Sequence, residues 1–287
     1  MKMQKYTIQN QLTVFKEELK EFYPDFEIES IAYLVLKKVL KLNRTQILLN
    51  KNKELENDEH GEITKILNEL KKHKPIQYIL GETEFYGLNF KMDERVLIPR
   101  QETEELVDWI ITDNKNKEGI KIMDIGTGSG CIAICLAKKI PGSSIFGIDI
   151  SDGALALAIE NTLKNNTLVK FIKFDILEPK TQKFKKFDII VSNPPYIAES
   201  ETAELAKNVL LYEPGLALFV KDSNPLLFYE KIGDFAINHL NPHGKLYFEI
   251  NERYGKKIIE LLRNKGFADI QLKKDINGKD RMVRGIY

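Results

Sequence analysis

Apolar side chains recur at helical spacing through the first seventy residues. Leu12, Phe15, Leu19 and Phe22 form one stripe, and Ile28, Ile31, Val35, Val39 and Leu42 form a second. Residues 45–50 read as a short third helix with Thr45 as N-cap. Ile63, Ile66, Leu67 and Leu70 mark a fourth, which ends before Pro75. Residues 1–74 are therefore expected to form a small helical bundle. The period then shortens. Residues 82–87 and 88–92 read as two strands of a hairpin with Gly81 as a hinge, inside a linker-and-hairpin segment spanning residues 75–101. A helix over 102–112 and a polar loop over 113–119 follow.

From residue 120 onward strands and helices alternate. Strands are predicted over 120–125, 144–150, 169–174, 187–192 and 245–250, with helices over 129–139, 152–164 and 225–238. This alternation predicts a mostly parallel sheet covered on both faces. The last two strands, 268–274 and 281–287, are joined by a turn and predict an antiparallel edge. Residues 102–287 are thus expected to be one α/β catalytic domain.

Composition narrows the picture only slightly. The chain has 287 residues, enough for one large α/β domain and a smaller one, and its 30% charged residues balance to a net charge of +1. That balance gives no support to a dedicated nucleic-acid binder; Lys183-Phe184-Lys185-Lys186-Phe187 is the best local basic candidate and reads as a solvated turn. Cys131 and Cys135 lie four apart and read as small core residues on one helical face, with no further metal ligands nearby. The N-terminus lacks the apolar run of a signal peptide and no window is long and apolar enough to span a membrane, so a soluble, cytoplasmic protein is expected.

The first chemical motif is Asp124-Ile125-Gly126-Thr127-Gly128-Ser129-Gly130, placed after an apolar strand and opening a helix. Glycines permit a sharp turn and let a ligand lie against bare amides. Dinucleotides favour Gly-x-Gly-x-x-Gly, which seats a pyrophosphate on the helix N-terminus. Here the spacing is Gly-x-Gly-x-Gly behind an acid, which suits the phosphate-free S-adenosylmethionine better. Asp149 ends the next strand, where a carboxylate could accept from a ribose diol, and Asp175 with Ile176 follows the third, where an adenine amino group and ring could sit.

The second motif, Ser192-Asn193-Pro194-Pro195-Tyr196, follows the fourth strand of the alternating region. A nitrogen conjugated to a carbonyl or a ring is a poor nucleophile because its lone pair is delocalised. Accepting hydrogen bonds from both of its N–H groups turns the lone pair toward a methyl donor. Asn193 offers a side-chain carbonyl and Pro194 a backbone carbonyl, in a loop stiffened by Pro194 and Pro195; Tyr196 offers a flat apolar face. Displacement on a sulfonium needs alignment more than acid–base chemistry, so no histidine is nominated, and His243 in Asn241-Pro242-His243-Gly244 reads as part of a turn. Asn193, Pro194 and Tyr196 are the candidate catalytic residues.

With both motifs placed, the chain resembles the HemK/PrmC family of peptide chain release factor N(5)-glutamine methyltransferases. The resemblance rests on residues 75–81, 84–87, 97–106, the glycine turn, residues 192–197, Tyr212-Glu213-Pro214, residues 216–219 and Asp280-Arg281. It implies a class I adenosylmethionine-dependent methyltransferase with a Rossmann-like fold. The implied substrate is the glutamine of the Gly-Gly-Gln motif of release factors. It further implies that Gly126, Gly128, Gly130, Asp149 and Asn193 bind S-adenosylmethionine, with Thr127, Ser129, Asp175 and Ile176 beside them, while residues 193–196 hold the glutamine amide. Three positions depart from the family pattern: Gln101 replaces a proline, Ile176 an aromatic residue, and Asn251 lies in a stretch that usually contains glycine. Rival readings are a ribosomal-protein glutamine methyltransferase and a DNA or RNA exocyclic-amine methyltransferase. A monomer without direct nucleic-acid contact is expected, its helical bundle docking the release factor. Residues 198–221 are long for a connection and are expected to form a lid.

Overall fold

The computed structural model describes residues 6–178 and 184–287. Its contacts divide the chain into two units, one reaching to Gly81 and including Ala206–Tyr212, the other comprising Glu82–Leu205 and Glu213–Tyr287.

The first unit contains α1 (Ile8–Leu19), α2 (Asp25–Leu40), α3 (Arg44–Leu49), α4 (Asn57–Leu70) and α5 (Ile76–Leu80), with a further six-residue helix at Lys207–Tyr212. Phe15, Leu19, Val35, Leu36, Ile63 and Leu67 meet in its apolar core. Phe22 and Leu42 fall outside the helices that their spacing suggests: α1 ends at Leu19, with the Phe22 amide turning back onto the Leu19 carbonyl, and α2 ends at Leu40, capped by Lys41 in the left-handed conformation. α3 starts one residue earlier than expected. Its cap is Asn43 rather than Thr45: the Asn43 side chain accepts from the Gln46 amide and the Gln46 side chain accepts from the Asn43 amide, both at 2.9 Å. α5 replaces part of the expected linker. It is a single turn entered from Pro75 and closed by Gly81 at φ 71°, too short for periodicity to reveal.

The second unit opens with a hairpin of β1 (Glu82–Phe85) and β2 (Leu88–Lys91). Tyr86 and Gly87 at its tip both have positive φ, as a two-residue hairpin turn requires. After α6 (Gln101–Asp113) come β3 (Lys121–Ile125), α7 (Cys131–Lys139), β4 (Ser144–Asp149), α8 (Asp152–Lys164), β5 (Val169–Lys173) and β6 (Phe187–Ser192). Two-residue strands β7 (Ile197–Ala198) and β8 (Phe219–Val220) pair in parallel. The chain closes with α9 (Leu227–His239), β9 (Leu240–Glu249), α10 (Gly255–Asn264), β10 (Ala268–Lys274) and β11 (Asp280–Ile286).

The seven-stranded sheet has the order β10-β11-β9-β6-β3-β4-β5. Pairs from β9 to β5 are parallel and those involving β10 and β11 are antiparallel. The expected parallel sheet with an antiparallel edge is therefore present. Tyr229, Phe235, Ile258 and Leu262 from α9 and α10 pack with Ile190, Leu246 and Phe248 of the sheet. β9 is longer than its apolar run indicates. Residues 241–244 form an irregular entry with a register shift against β6, His243 lies at φ 63°, and its amide donates to the Tyr287 carbonyl at 2.7 Å. α10, which the sequence reading does not contain, buries only Gly255, Ile258 and Leu262 on a face two turns long.

The strand order turns at β3. β4 and β5 lie on one side of it and β6 and β9 on the other, so the loops leaving β3 and β6 diverge at the carboxyl edge of the sheet. In an open parallel sheet this is the point where a crevice forms. Cys131 and Cys135 are buried, unpaired thiols on α7, and burial pushes the Cys131 pKa up to about 12. Among the described residues there is no cluster of metal-ligating side chains, and no helix is long and apolar enough to cross a membrane. Of the basic stretch 183–187, Lys185 and Lys186 are exposed and Lys183 lies outside the described residues.

Candidate active site

The cleft at this switch point is lined by residues from both loops. Gly126, Thr127, Gly128 and Ser129 come from the turn after β3, and Asn193, Pro194 and Pro195 from the loop after β6. Asp149, Ile150 and Ser151 line it from the end of β4, and Asp175, Ile176 and Leu177 from the end of β5. Apolar walls come from Val96, Leu97, Pro99, Phe228 and Ile232, and from Pro214, Leu216 and Ala217.

Backbone geometry builds the first half of the site. Gly126 and Thr127 donate their amides to the Ile148 carbonyl at 2.9 and 3.0 Å, folding the turn back onto β4. The Gly128 amide then donates to Asp149 Oδ2 at 2.9 Å, and the Ser151 amide to Asp149 Oδ1 at 2.9 Å. The carboxylate still has accepting capacity left for a ligand. Burial raises the Asp149 pKa, while the amides of Ser151, Gly128 and Ile150 pull it back. Gly130, at φ 79°, caps α7, and a Cβ there would come within 3.1–3.3 Å of Ile134, Ala158 and Phe171. Asp124 is fully buried beneath the turn, where the Thr127 hydroxyl donates to its Oδ2 at 2.6 Å. Burial lifts its pKa to about 7, against the pull of that hydroxyl and with a further push from the Asp149 charge.

These residues suit S-adenosylmethionine. Two carboxylates, Asp149 and Asp175, face a cleft whose basic lining residue, Arg95, is already engaged by both oxygens of Asp93 at 2.8 and 2.6 Å. A pyrophosphate would meet repulsion there, whereas a ribose diol and a cationic sulfonium would not. Asp175 accepts the Leu177 amide at 2.8 Å in a local turn, and Ile176 is almost fully buried, so the apolar contact at the position where the family usually has an aromatic ring is aliphatic.

Side chains from distant segments build the second half. The Ser192 hydroxyl donates to the Ile125 carbonyl at 2.7 Å, tying the end of β6 to the end of β3. Asn193 Nδ2 donates to Thr103 Oγ1 at 3.3 Å, and Thr103 Oγ1 donates to Glu249 Oε2 at 2.6 Å. The Tyr196 hydroxyl donates to Glu249 Oε1 at 3.2 Å. Burial raises the pKa of both Tyr196 and Glu249. Asn251 Nδ2 donates to the Tyr196 carbonyl at 3.3 Å, so this departure from the family pattern props the far end of the loop. On the opposite wall, Arg100 Nη2 donates to Glu213 Oε1 at 2.6 Å and the Ile98 amide donates to Oε2 at 3.3 Å. That half-buried pairing, in which Glu213 is buried and Arg100 partly exposed, fixes the wall beside Gln101, which itself is exposed at the start of α6.

Thr103, Glu249, Arg100 and Glu213 belong to neither the glycine turn nor the Asn193–Tyr196 motif. A signal exists for Glu249: it ends an apolar strand, Tyr247-Phe248-Glu249-Ile250, as Asp124 and Asp149 interrupt or end theirs. Thr103 carries none, because its partners are 90 and 146 residues away in sequence.

Comparison with known proteins follows the same lines. A family model for the PrmC N-terminal domain matches residues 12–81, and one for the methyltransferase small domain matches residues 103–218. The release factor glutamine methyltransferase of Flavobacterium psychrophilum is 49% identical over 280 residues, covering 96% of this chain and 98% of that protein. The enzyme of the same name from Bacteroides thetaiotaomicron is 41% identical over 96% of this chain and 98% of its own length. Among solved structures, a methyltransferase from Pyrococcus furiosus superposes with a TM-score of 0.51 at 17% identity, covering 80% of this chain and 98% of its own, and so shares the fold. The chain belongs to the release factor glutamine methyltransferase family.

Proposed function

We propose that this protein transfers a methyl group from S-adenosylmethionine to the side-chain amide nitrogen of the glutamine in the Gly-Gly-Gln motif of peptide chain release factors. The observation that carries this reading is the convergence of the glycine turn after β3 and the Asn193–Pro195 loop after β6 on one cleft. Asp149 takes the ribose hydroxyls, the glycine turn backs the amino-acid end, and Asp175 and Ile176 border the adenine. Bound in that way, S-adenosylmethionine would supply an electrophilic methyl group and depart as S-adenosylhomocysteine, while the alkylated nitrogen, strongly acidic, sheds one N–H proton to solvent. Asn193 Oδ1 and the Pro194 carbonyl accept the two N–H groups of the glutamine amide, turning its lone pair toward that methyl. Pro194 and Pro195 hold the acceptors in place at little entropic cost, and Tyr196, which packs against the core and is not among the residues lining the cleft, backs the loop rather than the planar group.

The helical unit, residues 1–74 in its simplest description, docks the body of the release factor while residues 75–101 lead into the catalytic domain, residues 102–287. Phe26 and Leu49 of this unit are 76% and 79% exposed and would meet that partner. The enzyme acts as a cytoplasmic monomer on protein and makes no nucleic-acid contact of its own. Replacing Phe26 and Leu49 with Ser should raise KM for whole release factor by about threefold to tenfold, a cost of about 1 kcal/mol. KM for a Gly-Gly-Gln peptide should stay unchanged, and equal losses on both substrates would contradict docking. Incubation with methyl-labelled cofactor and, separately, release factor, ribosomal protein and DNA tests the substrate. Label should enter the release factor; label confined to ribosomal protein or DNA would favour the corresponding rival.

A further inference from the structure

Glu249 lies at the carboxyl end of β9, is 1% exposed, and receives hydrogen bonds on both oxygens. Thr103 donates to Oε2 at 2.6 Å from α6, and Tyr196 donates to Oε1 at 3.2 Å from the end of the Asn-Pro-Pro-Tyr loop. An ionised carboxylate can only accept, so both hydroxyl protons are committed to it. The Thr103 oxygen then has only lone pairs left to offer, and its partner must be a donor. That partner is Asn193, whose Nδ2 sits 3.3 Å away. With its NH2 group turned to Thr103, the Asn193 amide presents its carbonyl oxygen on the opposite side.

We propose that Glu249 is a positioning residue that, through Thr103, sets which way the Asn193 amide faces and, directly, holds Tyr196 at the other end of the loop. The proposal rests on the reading above that Asn193 Oδ1 accepts an N–H of the substrate amide. Reversal of the Asn193 amide would place an NH2 against the substrate N–H groups, a donor against donors, and the nucleophile would lose its alignment. The carboxylate must stay ionised to serve both hydroxyls. Burial raises its pKa and the Glu102 charge adds to this; the Thr103 and Tyr196 hydroxyls and the Arg281 charge oppose it. Arg281 is itself fixed by Asp275, with Nε donating to Oδ2 at 3.1 Å.

The variants Thr103→Val, Thr103→Ser and Glu249→Gln test this together. Valine keeps the shape of threonine but removes the hydroxyl. Serine restores the hydroxyl without the methyl. Glutamine must present an NH2 to one of the two hydroxyls and so reverses one arm. Thr103→Val and Glu249→Gln are each expected to lower kcat by about 10-fold to 100-fold, with KM for release factor held within about threefold. Thr103→Ser should retain kcat within about threefold of the parent. The side-chain amide resonances of Asn193, identified by their loss in Asn193→Asp, should shift in Thr103→Val and return in Thr103→Ser.

Full activity in Thr103→Val, loss in Thr103→Ser equal to that in Thr103→Val, or unmoved Asn193 amide resonances would each overturn the proposal. If Glu249→Gln does not fold, the two Thr103 variants decide alone. A parent enzyme that labels no release factor would defeat the substrate reading instead, and the Asn193 resonances would still judge the orientation.

Discussion

The loops after β3 and β6 leave neighbouring strands and border one cleft, yet they are held by different means. The first is fixed mainly by its own backbone, with the Asn161 side chain of α8 donating to the Ser129 carbonyl at 3.0 Å. Gly126, Gly128 and Gly130 take positive φ, and their amides or those beside them bond to β4 and to Asp149 within about twenty residues of sequence. The second is fixed by side chains delivered from elsewhere: Thr103 from α6, Glu249 from β9 and Asn251 just beyond it. A site that cradles a ligand of constant shape can be written into a turn. A loop that must hold one amide orientation needs a hydrogen-bond chain that specifies donor and acceptor, and α6 and β9 supply it.

The largest expected break in that comparison is Asn193→Ala. It removes one oriented acceptor and should lower kcat by about 10²–10³-fold. Steady-state kinetics on release factor checks it, and activity retained within about threefold would remove Asn193 from the mechanism. On the other loop, Gly130→Ala should act through the backbone. It forces a left-handed conformation on alanine and drives Cβ against Ile134, Ala158 and Phe171. Stability should fall by about 1–3 kcal/mol in urea unfolding, and cofactor affinity should fall with it.

A smaller effect sharpens the role of Asp124 beneath the glycine turn. Its pKa is raised to about 7 from an ordinary 3.8. The folded protein therefore holds this proton where the unfolded chain releases it. The resulting stability is present at low pH and is lost as pH rises through about 7. Asp124→Asn has no proton to lose, so its Tm relative to the parent should rise by about 2–4 °C between about pH 5 and about pH 8. A gap that does not change with pH would show that Asp124 is ionised throughout.

The smallest effect concerns residues 198–221, proposed as a lid. Pro214, Leu216 and Ala217 line the cleft, and Leu216 is 63% exposed. Amide exchange at residues 215–218 should slow when S-adenosylhomocysteine and a Gly-Gly-Gln peptide are both bound. Unchanged exchange would remove the lid.

The same contrast explains what could be read from the sequence. The parallel sheet, its antiparallel edge and the glycine turn are local or periodic properties, visible in strand length, alternation and glycine spacing. Asn193–Tyr196 is legible as chemistry because its residue types are rare in combination. The supports of that loop are not legible in the same way. Nothing near Thr103 announces that its hydroxyl will lie between an amide and a buried carboxylate. The one-turn helix α5 and the short apolar face of α10 offered too few periods to stand out, and the start of α3 turned on a reciprocal cap at Asn43 that competes with a plausible cap two residues later.

The most direct test of the account is mass spectrometry of release factor after incubation with the enzyme and methyl-labelled S-adenosylmethionine. The account predicts one labelled methyl group on the side-chain nitrogen of the Gly-Gly-Gln glutamine, and its loss with Asn193→Ala. Label on any other residue, or undiminished labelling by Asn193→Ala, would contradict it.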